Sequence, residues 1–123
     1  MKLRDNFFRV KEFHPTATGA DCTVGLLAEH FIYSAHFPGN PITPGVCIIQ
    51  IVKELSEELV KRSLFLKEVH NVKFLNVINP LENEQVTFSI TLSAEGADHY
   101  KVGAVVHNEN GRFAKLSISL INR

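Results

Sequence analysis

The sequence holds no surplus of charge: thirteen Lys and Arg stand against thirteen Asp and Glu, for a formal net charge of zero. The global balance therefore gives no reason to expect nucleic acid or a membrane surface as partner, and an acidic partner would have to be met by a local patch. Long apolar runs are missing too, none approaching the ~20 residues of a membrane span. The charged start MKLRDNFFRV lacks the apolar stretch of a secretory signal, so a cytoplasmic location is expected. Cysteine is scarce. Cys22 and Cys47 are the only two, and with no metal or redox spacing between them they fit a reducing compartment and are expected to be free thiols. His14, His30, His70, His99 and His107 have no ligand spacing among them and read as structural or exposed, so no metal and no cofactor is implied. Internal repeats, low-complexity segments and linkers are absent as well. A chain of 123 residues is one domain's worth, enough to bury about two thirds of its unfolded surface, and a single domain over 1–123 is expected.

What is present is concentrated in the stretch His36 to Glu54, HFPGNPITPGVCIIQIVKE. Pro44 and Gly45 fit a helix start, because proline's fixed φ and missing N–H cost nothing in a first turn. No breaker follows until beyond Arg62, which predicts a helix of about eighteen residues. Val46 to Val52 contains one polar side chain, Gln50, and reads as buried on every side. Lys53 to Arg62 carries six charges, with Leu55, Leu59 and Val60 on one face, and reads as the solvated half, beginning near Glu54. A buried amide left unpaired costs about 1–3 kcal/mol, so Gln50 should find a backbone group, a water or a ligand. It is either a core amide that keeps the helix in register or a group that touches substrate or water. Cys47, among apolar neighbours, reads as a small buried hydrophobe rather than a nucleophile.

The remainder alternates. Asn6 to His14 and Asp21 to Glu29 read as strands joined across Pro15, Gly19 and Asp21, and Lys67 to Asn79 reads as a long strand closed by Pro80 and Asn83. Glu84 to Leu92 points Val86, Phe88, Ile90 and Leu92 one way, and Asp98 to His107 does the same with Tyr100, Val102, Ala104 and Val106. Asn110-Gly111 is a hairpin turn, followed by Ala114, Leu116, Ile118 and Leu120 on one face. An α+β fold follows: a curved antiparallel sheet of about six strands wrapped around one long central helix.

The stretch from His36 resembles the signature of the 3-hydroxyacyl-acyl-carrier-protein dehydratases of fatty acid synthesis, a hot dog fold family. Their pattern is His-Phe-Pro-Gly-x-Pro, two residues, Pro-Gly, then an acidic residue fourteen positions after the histidine. His36, Phe37, Pro38, Gly39, Pro41, Pro44 and Gly45 match. The departure is Gln50, which stands where the family has Glu or Asp. Relatives often carry glutamine where this chain has Glu54, so the acid and the amide look exchanged.

The resemblance implies a 3-hydroxyacyl thioester, carried by acyl-carrier protein or coenzyme A, as substrate. It implies His36 as the base for the C2 proton, the Gly45 N–H as donor to the thioester oxygen, and Gln50 at the acid's place. A histidine pKa near 6.5 suits the first role, and helix-start amides suit the second. The third is compromised: an amide can hold a hydroxyl or a water but cannot hand over a proton, and general acid catalysis is typically worth about 10² to 10⁴ in rate. Glu54, ~5.4 Å further along the same face, is the candidate substitute. The resemblance also implies edge-to-edge homodimers or higher hot dog oligomers, in which the histidine of one subunit faces the helix residue of the other. Two other readings stand beside dehydration: a non-catalytic subunit that binds acyl-carrier protein or completes a hot dog heterodimer, and an acyl thioesterase in which Gln50 or Glu54 positions water. Lys61, Arg62, Lys67 and Lys73 are candidates for a basic surface facing an acidic carrier.

Overall fold

The computed structural model describes residues 2–36 and 38–122; Phe37 of the signature lies outside the described residues. Eight elements follow in order: β1 (Phe8–Pro15), β2 (Gly19–Leu26), α1 (Phe31–His36), α2 (Gly45–Val60), β3 (Leu64–Phe74), β4 (Gln85–Glu95), β5 (His99–Asn108) and β6 (Gly111–Asn122). The strands form one antiparallel sheet in the order β1-β2-β4-β5-β6-β3. The period-two pattern places Val86, Phe88 and Ile90 of β4 on the same buried face as Val102, Ala104 and Val106 of β5 and Ala114, Leu116, Ile118 and Leu120 of β6. The register sets large against small across the strands, Ile90 opposite Ala104 opposite Leu116, and Phe88 opposite Val106 opposite Ala114. This face packs on α2 through Ile48, Ile51, Val52 and Leu55.

Helix α2 has sixteen residues, slightly fewer than expected. It stops at Lys61, which turns left-handed (φ 58°, ψ 40°) and returns its N–H to the Glu57 carbonyl. The division into a wrapped half and a solvated half does not hold. Val46 is 68% exposed, whereas Glu54 is 8% exposed and Ser56 is fully buried. Burial follows one face of the whole helix because the segment before β1 lies along it: Leu3, Phe7 and Phe8 are buried, and the N–H groups of Leu3 and Arg4 donate to the Glu54 carboxylate. Ser56 satisfies its hydroxyl by donating to the Val52 carbonyl at 2.7 Å.

Two departures concern shorter elements. Helix α1 is only six residues long, too short for a periodic signal, and the sequence reading passes through it as a lead-in to the loop. Its first turn is closed by His30, whose Nδ1 accepts the Ile32 N–H at 3.1 Å. Strand β3 begins at Leu64 and ends at Phe74, earlier at both ends than the expected strand from Lys67 to Asn79. The ladder ends because the N–H groups of Leu75 and Asn76 both turn to the Phe113 carbonyl, at 2.8 and 3.2 Å. As the outer strand beside β6, β3 leaves Phe65, Leu66 and Val69 exposed, and Phe74, Leu75 and Val77 continue the apolar strip.

Cys22 and Cys47 are both free and buried, and burial pushes the Cys22 thiol up to about 11 and raises that of Cys47. No helix among the described residues is long and apolar enough to cross a membrane.

Candidate active site at the start of the long helix

Helix α2 begins without a side-chain cap: Pro44, at φ −63° and ψ 144°, precedes it and offers no polar group. The Pro44 carbonyl takes the N–H groups of Cys47 and Ile48, at 3.0 and 3.2 Å. Those of Gly45 and Val46 have no acceptor among the described residues, so the positive end of the helix dipole opens outward at Gly45. It opens on a cavity of about 320 Å³ whose lining includes Thr43, Gly45, Ile48, Phe74, Val77 and Ile78. The loop that carries this start is held at two points. The Thr43 N–H donates to the Ile78 carbonyl at 2.9 Å, and the Thr43 hydroxyl bonds the buried Tyr33 hydroxyl at 3.0 Å. Tyr33 stacks on Phe7 at 5.0 Å and an interplanar angle of 17°. Burial pushes its phenol up to about 12, against the opposing effect of the Thr43 bond.

The glycine at position 45 makes room within the chain for a ring. A Cβ at position 45 would stand 2.5 Å from Cζ of Phe74 and 2.9 Å from Cε2. Gly45→Ala therefore displaces Phe74, at about 1–3 kcal/mol for an overpacked contact. Because Phe74 is 55% exposed, Phe74→Ala should relieve most of that cost, which a double-mutant cycle in urea measures. Additive losses would show that the two do not compete for space.

Gln50 is half-buried and donates through Nε2 to Oε2 of Glu54 at 2.9 Å. This carboxylate is a partner beyond the backbone group, water or ligand expected for it. Glu54 in turn accepts the Leu3 N–H at 2.7 Å and the Arg4 N–H at 2.8 Å. Rather than opening the solvated half, Glu54 is a buried acceptor for three donors. The i, i+4 spacing of Gln50 and Glu54 is the signal that could have disclosed the pair; Phe74 over Gly45 left no such trace.

Among the described residues, Gln50 and Gly45 line two different hollows. Gln50 and Glu54 line a polar groove of about 560 Å³ together with Lys2, Arg4, Lys53 and Glu58. Gly45 lines the apolar cavity instead, and His36, exposed at the end of α1, lines neither. Glu58 is held below the usual carboxylate range, first by its hydrogen bond from Lys61 and further by Arg4. The expected basic surface is largely engaged: Lys61 pairs with Glu58, Arg62 reaches the Tyr100 hydroxyl, and Lys67 meets His99. Among the described residues no three His, Cys, Asp or Glu side chains converge as a metal site.

Comparison with known proteins places this geometry. The family model described as "ApeI-like: ApeI dehydratase" matches residues 12–112. The chain belongs to the ApeI-like dehydratase family. Among relatives of this ApeI-like chain is the 3-hydroxyacyl-[acyl-carrier-protein] dehydratase FabZ of Levilactobacillus brevis, 30% identical over 79 residues, covering 58% of this chain and 53% of that one. The FabZ of Wolbachia pipientis wMel is 28% identical over 98 residues, covering 74% and 68%. The chain spans about half the length of the first curated relatives it matches. Among solved structures, the dehydratase heterocomplex ApeI:P from Xenorhabdus doucetiae superimposes with a TM-score of 0.68 at 18% identity, over 93% of this chain and 97% of that one. A hypothetical thioesterase with coenzyme A from Streptococcus pneumoniae TIGR4 gives a TM-score of 0.66 at 11% identity, over 94% and 85%. These likenesses establish the hot dog fold for the ApeI-like chain.

Proposed function

We propose that this ApeI-like chain is a dehydratase-type lyase for 3-hydroxyacyl thioesters whose acid step is weakened, and that it works as a hot dog dimer. The observation that carries the reading is the uncapped start of α2, where the Gly45 N–H opens on an apolar cavity. In this reading the Gly45 N–H receives the charge that develops on the thioester oxygen, and His36 removes the C2 proton. Gln50 holds the departing hydroxyl without protonating it, so turnover is slow rather than absent. Hydration of a 2-enoyl thioester, offered on acyl-carrier protein and on coenzyme A, is the direct assay. His36→Ala should abolish it; a rate unmoved by that change removes the proposal. Release of free thiol in the same assay would signal thioester hydrolysis instead.

The dimer is argued from what a single chain lacks. Among the described residues His36 lines neither the groove of Gln50 nor the cavity of Gly45, and β3 is an outer strand of the sheet with Leu66 and Val69 exposed. An apolar edge of this kind is a template for another strand, and a two-fold partner brings the same edge. Val69→Arg should give a monomer in sedimentation, with unchanged far-ultraviolet dichroism and lost hydration activity. A dimer that persists would place the seam elsewhere.

A second reading is favoured by the neutrality of Gln50 and its tie to Glu54: the chain completes the site of another hot dog subunit that supplies a carboxylic acid. Mixing with such a subunit would then raise the rate well above the sum of the parts, and the gain would vanish with His36→Ala.

A further inference from the structure

Strand β3 slips register against β6 twice, between Leu66 and Glu68 and between Val69 and Asn71, so that Lys67 and His70 have no opposite residue. Bulges of this kind re-aim side chains. Here the second one turns His70 across to β6, where its Nε2 meets the hydroxyl of Ser119. The other ring nitrogen, Nδ1, meets Oε2 of Glu68 at 3.0 Å. Carboxylate, imidazole and hydroxyl thus stand in the order orienter, base and nucleophile, with the acid on one ring nitrogen and the alcohol on the other. Ser119 alternates with the buried Ile118 and Leu120, which puts the group on the face of the sheet turned away from α2. In register it has Glu68 on one side and the exposed Lys101 on the other. Pairing of β3 edges lies in the plane of the sheet and leaves this face open. With side chains 36% and 63% exposed at His70 and Glu68, the group is within reach of a reagent.

We propose that Ser119, His70 and Glu68 form a second, acyl-transferring centre that takes small activated carboxylic esters. Ser119 Oγ bonds to the ester carbonyl carbon as its proton passes to Nε2 of His70, and the oxyanion forms on the side of the Lys101 ammonium. The bond to the leaving alcohol breaks as Nε2 returns the proton to the alkoxide, leaving an acyl-serine. Water, giving a proton to the same nitrogen, then bonds to the acyl carbon; the bond from that carbon to Oγ breaks as Nε2 returns the proton to Ser119, and the carboxylic acid leaves and ionises in solvent. Glu68 is a positioning residue that holds the imidazole with Nε2 toward the serine. The group lies on an open sheet face, so small esters, taken without selectivity, are the class that fits. The centre shares no residue with the thioester site, and its fate is independent of that reading.

The test is labelling of the full chain by a fluorophosphonate, with the adduct located by mass spectrometry, and turnover of p-nitrophenyl acetate alongside. Label on Ser119, lost in Ser119→Ala and slowed at least about hundredfold in His70→Ala, is the expected result. Glu68→Gln should slow it less, with Glu68→Asp restoring part of the rate, which a role confined to strand pairing would not produce. Ser119→Cys gives a second readout: alkylation of the new thiol by iodoacetamide should be faster with His70 present than in the His70→Ala background. No label on Ser119, a rate indifferent to His70, or a Ser119→Cys variant alkylated no faster with His70 than without it overturns the proposal.

Discussion

Gln50→Glu should raise the dehydration rate of a 3-hydroxyacyl thioester by about 10² to 10⁴, the usual worth of a general acid. The expectation follows from where the new carboxylate would lie. Nε2 of Gln50 stands 2.9 Å from Oε2 of Glu54, and a glutamate there puts two carboxylates within hydrogen-bond distance. Like charges that close cannot both ionise, so the pair holds one proton and its upper apparent pKa is raised. A proton held by the pair is what the departing hydroxyl needs. The sign of the pH dependence follows. A raised pKa makes the acid available below that value and loses it as pH rises through it, so the gain in rate should fade toward alkaline pH. The variant's stability should decline in the same direction. Rate against pH, with urea melts at each pH, reads both. A folded Gln50→Glu protein with an unchanged rate would mean that position 50 does not face the reacting carbon.

Glu54→Ala should cost on the order of 3 kcal/mol without touching the thioester chemistry directly. The change removes the acceptor of two backbone N–H groups, Leu3 at 2.7 Å in a buried setting and Arg4 at 2.8 Å in a partly buried one, and a buried donor left unpaired costs about 1–3 kcal/mol. Hydrogen exchange should quicken first at Leu3 and Arg4, ahead of the strands. Glu54→Gln should fall between, since one amide oxygen replaces two carboxylate oxygens and its NH₂ must face a donor. For the same reason the double change Gln50→Glu with Glu54→Gln, which gives the order implied by the family resemblance, should gain rate and lose stability together. A Glu54→Ala protein within about 0.5 kcal/mol of the parent, below the effect of losing even one buried donor's partner, would show that water replaces the carboxylate.

These residues also mark how far the sequence can be read. The inward faces of β4, β5 and β6 were legible because each strand buries one face and exposes the other, so Val86, Val102 and Leu116 announce themselves by period. The start of α2 was legible from Pro44 and Gly45. The burial of Glu54 was not, because its partners lie 51 and 50 residues earlier in the chain and no local pattern carries that distance. Val46 looked buried for the opposite reason: an apolar residue facing out of one chain has the same letter as one facing in. The end of β3 was decided by the Phe113 carbonyl, which lies on another strand. For the site, His36, Gly45 and Gln50 were picked out by resemblance to the family signature. Their opening onto different surroundings depends on the course of the chain between them.

The attachment of Leu3 and Arg4 to Glu54 also sets an order of events in synthesis. Leu3 and Arg4 leave the ribosome with no such acceptor until the middle of α2 has been made and has coiled. Until then Leu3, and with it Phe7 and Phe8, must wait as exposed apolar groups, and closing that long loop comes late. Pauses in translation before residue 54 would prolong the interval in which this segment is open to chaperones or to sticking.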